Sequence, residues 1–544
     1  MKLRLGPGTP AAGFLIAACL ALLAHARVLA CATPIWDDAV FLLRDERVRS
    51  LAGVVTAFGD SFFGPHAPNE MYRPVVNASL AFDWWFSGST PGDVHLLWFH
   101  LVNLLLHAAN AGLAYLFLAN LTARKLGAPL LAACLFAVHP LAVEPTAWIV
   151  GRCDLLATFF GLLSGICLLR VPARRALLVP ALLAYTLALF AKASAAPLPV
   201  AVALGIVAYR GMPPAQLFGR RVLARFLPFL VPLGVWIGAR ALVLGAPFPR
   251  AGGVVWHDVP ALAAARGVGR AVAILASHIV LPVGLCGDYR ADAAWDPAEG
   301  GLGPHAVAGL ALLLFCGFYG LTRLRARPRV AYPLLAFALL LVPVLQVVPI
   351  GAIVAERFAY LPMLFALLLV GEGLERAFET GPRPAVLATT FALFLLLGVQ
   401  SQLRAAVWQD PVAFERDVLA SYPGAREPTQ RLALALSDRG EGDEALRLLR
   451  SSAARQRRPD WEWHQIGAIL LEQGDLTAAE PALRRALELS QRDAQLGAKV
   501  RYNLAVLLHR TGRDDEARAF LDEALARAPH LAPARALREK LTPR

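Results

Sequence analysis

Residues 11–29, AAGFLIAACLALLAHARVL, form one long apolar run, and Trp36-Asp37-Asp38 comes soon after it. A run of that length suits a membrane-crossing helix, which sets two adjacent carboxylates just past its far end. Carboxylates beside a bilayer are costly to desolvate; they mark a site or a water-filled cavity, or else simply open a solvated loop. Working outward, similar runs recur at 95–119, 127–145, 154–170, 175–191, 195–209, 224–244, 303–322, 330–349, 353–373 and 384–402. Each is near the length that crosses a bilayer. A further piece, 269–286, is ambiguous.

The composition agrees. The 544 residues are 57% hydrophobic and 17% charged, with a mean hydropathy of +0.53, too apolar for an ordinary soluble domain. The net charge of +13 is spread over short loops and the tail. A nucleic-acid binder would gather it on one surface, so no nucleic-acid partner is expected. Seven cysteines lie mostly within apolar runs without CxxC spacing, which gives neither a disulfide framework nor a zinc site. Lys2 and Arg4 ahead of a short apolar run, with Ala24-His25-Ala26, also fit a cleavable signal peptide. Both readings put Asp37 outside the cytoplasm.

The basic loops orient the chain. Arg124-Lys125, Arg170 with Arg174-Arg175, Arg210 through Arg225 and Arg323 through Arg329 are expected to face the cytoplasm. With 269–286 taken as an interfacial or re-entrant piece on the outer side, eleven spans remain, the N-terminus inside and the C-terminal domain outside. The outer side then receives Asp37, Asp38, Tyr72, Arg73, His139, Glu144, Arg152, Asp154, Lys192, Asp288, Tyr289, Glu356 and Arg357. Any one of the basic residues could merely snorkel to headgroups, and His139-Pro140 with Glu144 could be packing and capping. Acids and bases converging on one side argue for an extracytoplasmic site. His100, Asn103 and His107 share a helix face, where interhelical hydrogen bonding is favoured over metal binding.

After Leu403 the composition changes, and from about 427 the chain is charged, Ala/Leu-rich and repetitive. Gly440, Gly474 and Gly512 are each followed five residues later by Ala445, Ala479 and Ala517, and preceded by seven by Ala433, Gly467 and Ala505. Ser452, Ala486 and Ala524 follow those alanines by seven. The spacings, 34 from 440 to 474 and 38 from 474 to 512, fit tetratricopeptide helix pairs. The expected organisation is all-α: a membrane helical bundle over 1–403 with a first outer loop at 31–94, a linker at 404–426, and about three tetratricopeptide repeats over 427–544 forming an α-solenoid. Such an array suits protein or peptide recruitment.

Several short stretches, taken in order, resemble one family. They are Asp37-Asp38; Tyr72-Arg73-Pro74; His100-Leu101-Val102-Asn103 with His107; Phe136-Ala137-Val138-His139-Pro140 with Glu144; and Gly151-Arg152 with Asp154-Leu155-Leu156-Ala157. Lys192, Leu281-Pro282 with Leu285, Asp288 and Tyr289, Ala355-Glu356-Arg357 with Tyr360-Leu361-Pro362, and Arg404 with Trp408 complete the series. Together they resemble the transmembrane and tetratricopeptide-repeat O-mannosyltransferases and their bacterial relatives, within the GT-C glycosyltransferase superfamily. Lys192 is followed by Ala193, where the family often has Glu, and the repeat array is short.

The resemblance implies transfer of a sugar, mannose by family default, from a polyprenyl- or dolichyl-phosphate donor to a hydroxyl acceptor, protein Ser or Thr first. A carboxylate must take the hydroxyl proton, which nominates Asp37 or Asp38. Cations must stabilise the leaving phosphate, which nominates Arg73, Arg152, Lys192 and Arg357, with Arg240 a weaker candidate. Tyr72, His139, Glu144, Asp154, Asp288, Tyr289 and Glu356 are expected to support the site. No GxGxxG after a strand, P-loop or DxD signature for a nucleotide sugar is present, and nothing specifies a divalent metal or another cofactor. The rivals are a non-catalytic membrane scaffold that recruits envelope proteins through its repeats, and a transporter. The Ala/Leu/Arg bias points to a bacterial inner membrane with periplasmic site and repeats; an endoplasmic-reticulum membrane with a luminal site is the alternative.

Overall fold

The computed structural model describes residues 9–64, 71–213, 216, 219–246, 261–289, 302–345 and 354–541. Lys2, Arg4, the end of the 330–349 run and the start of the 353–373 run lie outside the described residues. The fold is all-helical and divides into two compact units, Met1–Asp410 and Pro411–Arg544.

In the first unit, nine helices among the described residues are long and apolar enough to cross a membrane, and a bent pair supplies a tenth if counted as one span. These make the chain a multi-pass membrane protein. The bent pair, Ala128–Val138 with Pro140–Ala147, turns by 57° where Pro140 cannot continue the helical hydrogen-bond ladder. Helices Arg175–Ala191 and Pro328–Val344 are apolar but shorter. The expected eleven spans thus appear as eight full-length helices, one broken pair and two short helices, and Ala261–Val280 is the ninth full-length helix. The piece at 269–286 differs from its expected interfacial form. It belongs to an unbroken helix, Ala261–Val280, whose length and apolarity suit a crossing, and the chain leaves helical structure at Leu281. Arg266 and Arg270 in its first half interrupt the apolar pattern that would have announced it.

Small residues let these helices approach. A Cβ on Gly112 would meet the Phe14 ring at 2.5 Å, so the first span lies tight against Leu96–Thr122, the packing mode expected where lipid removes the hydrophobic drive between helices. Asn103, buried in that helix, donates to the carbonyls of Thr146, Trp148 and Ile149 at 3.4, 3.1 and 3.3 Å. The segment between the bent pair and Arg152–Arg170 is therefore pinned in place.

The second unit holds three helix pairs: Arg426–Asp438 with Gly442–Arg455, Asp460–Gln473 with Leu476–Leu489, and Ala494–Arg510 with Asp514–Arg527. Gly440, Gly474 and Gly512 sit between the helices of each pair at φ +79°, +83° and +76°, the left-handed region that glycine enters without strain. Ala445, Ala479 and Ala517 are wholly buried, as are Ala486 and Ala524. A Cβ on Gly467 would meet Leu483 at 2.5 Å, so the small residues stand where helices cross. The expected linker at 404–426 is largely helical. Its first residues end the helix Arg383–Val407, and Pro411–Ser421 forms a further helix whose Val412 joins the core of Leu432 and Leu436. The apolar spacing of Val412, Phe414 and Val418, all buried, is the physical reason.

Candidate active site

Trp36 enters the helix Asp37–Leu43 with φ +52° and ψ −120°. A non-glycine residue held there stores about 1–3 kcal/mol of strain, which persists only where surrounding structure enforces it. The Trp36 ring is fixed edge-on against Trp148 and Trp408, with centroids 5.9 and 5.7 Å away. The turn separates the two carboxylates. Asp37 lines a cleft with Trp36, Trp148, Gly287, Asp288, Tyr289, Val354, Ala355 and Arg357. Asp38 turns inward, 2% exposed, and accepts from the backbone N–H of Ile149 at 3.2 Å and Val150 at 2.9 Å. Burial pushes Asp38 up to about 8, against those two donors, which favour the anion.

Arg357 closes the opposite wall. Glu144, 1% exposed, accepts from its guanidinium and, at 2.8 Å, from its backbone N–H. The guanidinium lies over the rings of Trp148 and Phe358, 4.6 and 5.3 Å from their centroids. Arg357 also borders a second, narrower crevice walled by Asp154, Thr158, Ser194, Leu340, Leu361 and Pro362. There Lys192 Nζ meets Asp154 at 2.6 and 2.7 Å and lies 5.2 Å from the Phe358 ring centroid. Arg73 Nη1 stands 3.6 Å from Cys153 Sγ, and Arg73, Lys192 and Arg357 all act electrostatically on that thiol. Three of the four nominated cations therefore gather around Cys153 and Asp154.

The fourth does not. Arg152 is 0% exposed: it pairs with Asp83, donates Nε to Asn103 Oδ1 at 2.7 Å and Nη2 to the Phe99 carbonyl at 3.1 Å. It is an internal strut and reaches neither opening. Tyr72 donates to the Phe58 carbonyl at 2.8 Å and packs on Phe190, away from the cleft lining. His139 accepts from Leu141 N–H at Nδ1, 3.2 Å, so Nε2 carries the proton donated to the Ile279 carbonyl at 3.1 Å; it pins the bent pair. Arg240 is buried in Leu230–Leu244 and is not among the residues lining either opening. His107 bonds Tyr360 at 2.8 Å and the Ala137 carbonyl at 3.2 Å, consistent with interhelical bonding. Among the described residues no group of three or more His, Cys, Asp or Glu is arranged to hold a metal ion.

Behind Asp288 and Tyr289 lies a hydrogen-bonded base. The Tyr289 hydroxyl is 3.2 Å from His278 Nδ1 and donates to Glu356 Oε1 at 3.3 Å, where Arg404 Nη2 also arrives at 3.3 Å. Burial raises the Tyr289 hydroxyl well above the ordinary tyrosine range, so it stays a neutral donor. Trp36, Trp148, Gly287 and Val354 are cleft residues to which sequence reading gave no role. They carry no charge; the signals were the place of Trp36 beside Asp37 and of Trp148 between Glu144 and Arg152.

The arrangement defines a class: a multi-pass helical membrane protein with a carboxylate and a guanidinium facing one cleft, followed by a tetratricopeptide-repeat unit. The tetratricopeptide-repeat family model matches residues 461–530. Protein O-mannosyl-transferase TMTC4 of Homo sapiens is 30% identical over 146 residues, 24% of this chain and 19% of that protein. Protein O-mannosyl-transferase tmtc2 of Xenopus laevis is 36% identical over 105 residues, 19% of this chain and 12% of that protein. Cellulose synthase operon protein C of Pseudomonas fluorescens (strain SBW25) is 33% identical over 147 residues, 26% and 11% of the two chains. The match thus spans less than a fifth of the length of each of these relatives. Over part of its length the chain is similar to TMTC protein O-mannosyl-transferases, and it carries tetratricopeptide repeats.

Proposed function

We propose that the chain is a membrane glycosyltransferase that moves a sugar, mannose first, from a polyprenyl- or dolichyl-phosphate donor to a hydroxyl acceptor, protein Ser or Thr first. The observation that carries this reading is the cleft shared by Asp37 and Arg357. Asp37 takes the acceptor's proton as its oxygen attacks the anomeric carbon. The bond from that carbon to the lipid-phosphate oxygen breaks, and the phosphate leaves with the electron pair. One displacement inverts the anomeric centre. Arg357, fixed by Glu144 and two aromatic faces, meets the charge on the departing phosphate, with Lys192 and Arg73 nearby. Asp38 acts indirectly, by holding the backbone at Ile149 and Val150.

The cleft has a volume of about 90 Å³, small beside the ~300–1,000 Å³ of ordinary ligand sites. A cleft of that size takes only part of a lipid-linked sugar and its acceptor. The loop charges at 124–125, 170–175 and 210–225 favour an extracytoplasmic cleft, in a bacterial inner membrane first, and the repeats would hold the acceptor protein.

Glycan mass spectrometry of envelope proteins tests the reading, in cells carrying wild type, Asp37→Asn, Asp38→Asn or no protein. A hexose-type modification lost in the deletion and in Asp37→Asn, at normal protein level, supports it. Restoration by Asp37→Asn of what the deletion loses removes Asp37 from the base role, and a deletion that changes no glycan moves the scaffold reading ahead.

A further inference from the structure

Far from the cleft, the ends of several apolar helices bring guanidinium groups together. Near the end of Leu96–Thr122, Asn120 accepts from Arg170 Nε through Oδ1, and from Arg210 Nη2 through its backbone carbonyl, both at 3.0 Å. Arg225, in the helix Arg220–Phe226, donates to the carbonyl of Leu168 near the end of Arg152–Arg170, and Arg210 repels its charge. Three guanidiniums from three helices thus crowd two helix C-termini. The partial negative charge of those carbonyls offsets only part of the repulsion. Arg170 and Arg210 are exposed and Arg225 half-buried, and each guanidinium has five N–H donors, most of them still available to a ligand.

The surroundings separate this cluster from ordinary basic loops. At the same end of the bundle, Arg124 pairs with Glu372 and Glu375, and Arg329 stands 3.8 Å from Glu372. Among the described residues no carboxylate stands within ion-pair distance of Arg170, Arg210 or Arg225, and the sequence has no Asp or Glu from 155 to 257. Asn120 lies seventeen residues along its helix from Asn103, about 25 Å at 1.5 Å per residue, close to the ~30 Å depth of a hydrocarbon core. The cluster therefore stands at headgroup level across the bilayer from the candidate active site.

We infer that Arg170, Arg210 and Arg225 seat the phosphate of an anionic membrane phospholipid. A phosphodiester presents the oxygens that a guanidinium fork binds bidentately, and its charge relieves the repulsion within the triad. The test uses the full chain in nanodiscs, with phosphatidylglycerol or phosphatidylcholine, and native mass spectrometry to count retained lipid. Wild type is expected to retain phosphatidylglycerol in preference to phosphatidylcholine. The triple variant R170Q/R210Q/R225Q weakens that retention on the order of a hundredfold, each cation counting for about fivefold at a headgroup. R323Q/R325Q/R327Q removes equal charge from a nearby loop and changes retention little. Equal loss in the two triple variants, or equal retention of the two lipids by wild type, overturns the site. Binding of soluble glycerol 3-phosphate as tightly as the lipid overturns the lipid assignment. Where the triple variant does not fold, R210Q alone, at an exposed side chain, weakens retention about fivefold, and an unchanged value overturns the proposal.

Discussion

In the membrane unit Arg152 and Asp83 are 0% and 6% exposed and Lys192 and Asp154 6% and 8%, whereas in the repeats Arg485 and Glu488 are 56% and 64% exposed. The groups are alike and their meaning is not. An exposed pair trades water for a partner at nearly equal free energy, and salt screens it. A buried charge has lost its water, and removing its partner strands it. Buried charge in the bundle is therefore informative, while exposed charge in the repeats mostly confers solubility.

That contrast can be broken at several places. The largest effect is expected from Asp37→Asn: about 10²–10⁴-fold lower sugar transfer with unchanged thermal unfolding, measured on purified protein with a lipid-phosphate sugar. Comparable activity in the variant would return the carboxylate to an ordinary loop. Arg152→Met is expected to cost about 3–5 kcal/mol by stranding Asp83, read as lost expression or a much lower unfolding temperature; tolerance of that change would contradict its place as a strut. For Lys192→Met, a second change, Asp154→Leu, should restore stability because both charges are then gone, yet activity should stay low. Recovery of activity in the double variant would make the pair structural only.

Asp38 gives a pH signature. Its folded value of about 8 lies above the ordinary 3.8, so the neutral form is the one folding favours. Its contribution to stability is complete below pH 3.8 and is lost as pH rises through 8. Between pH 5 and 8.5 the unfolding temperature should fall by a few degrees, and Asp38→Asn should flatten that slope; an identical slope in the variant would assign it elsewhere. The smallest effect belongs to Arg485→Gln, an exposed i,i+3 pair whose loss should shift unfolding by no more than about a degree.

The repeats were legible because one residue type answers one geometric demand. Gly440, Gly474 and Gly512 mark positive φ, and Ala445, Ala479 and Ala517 mark crossings too close for a larger side chain. Most spans were legible from apolar length, and Ala261–Val280 was not because its arginines fall on an otherwise apolar helix. At the site, sequence identified the charged residues but could not rank them. Asp37 and Asp38 are neighbours with opposite fates, decided by a turn at Trp36 and by N–H groups more than a hundred residues away. Arg152 and Arg357 look equivalent until Asp83 and Asn103 are found around the first, and Glu144 and the open cleft beside the second.

The contacts that shape the cleft also impose an order on synthesis. Asp38 reaches Val150 across 112 residues, and Glu144 reaches Arg357 across 213. While the chain leaves the ribosome, Glu144 is inserted long before the guanidinium that will neutralise it exists. The nascent bundle must carry an unmatched carboxylate until Glu356–Thr380 arrives, so the cleft is among the last features of the membrane unit to be assembled. A chain released before that helix holds Asp37, Asp38, Glu144, Asp154 and Asp288 but not Arg357, which closes the opposite wall.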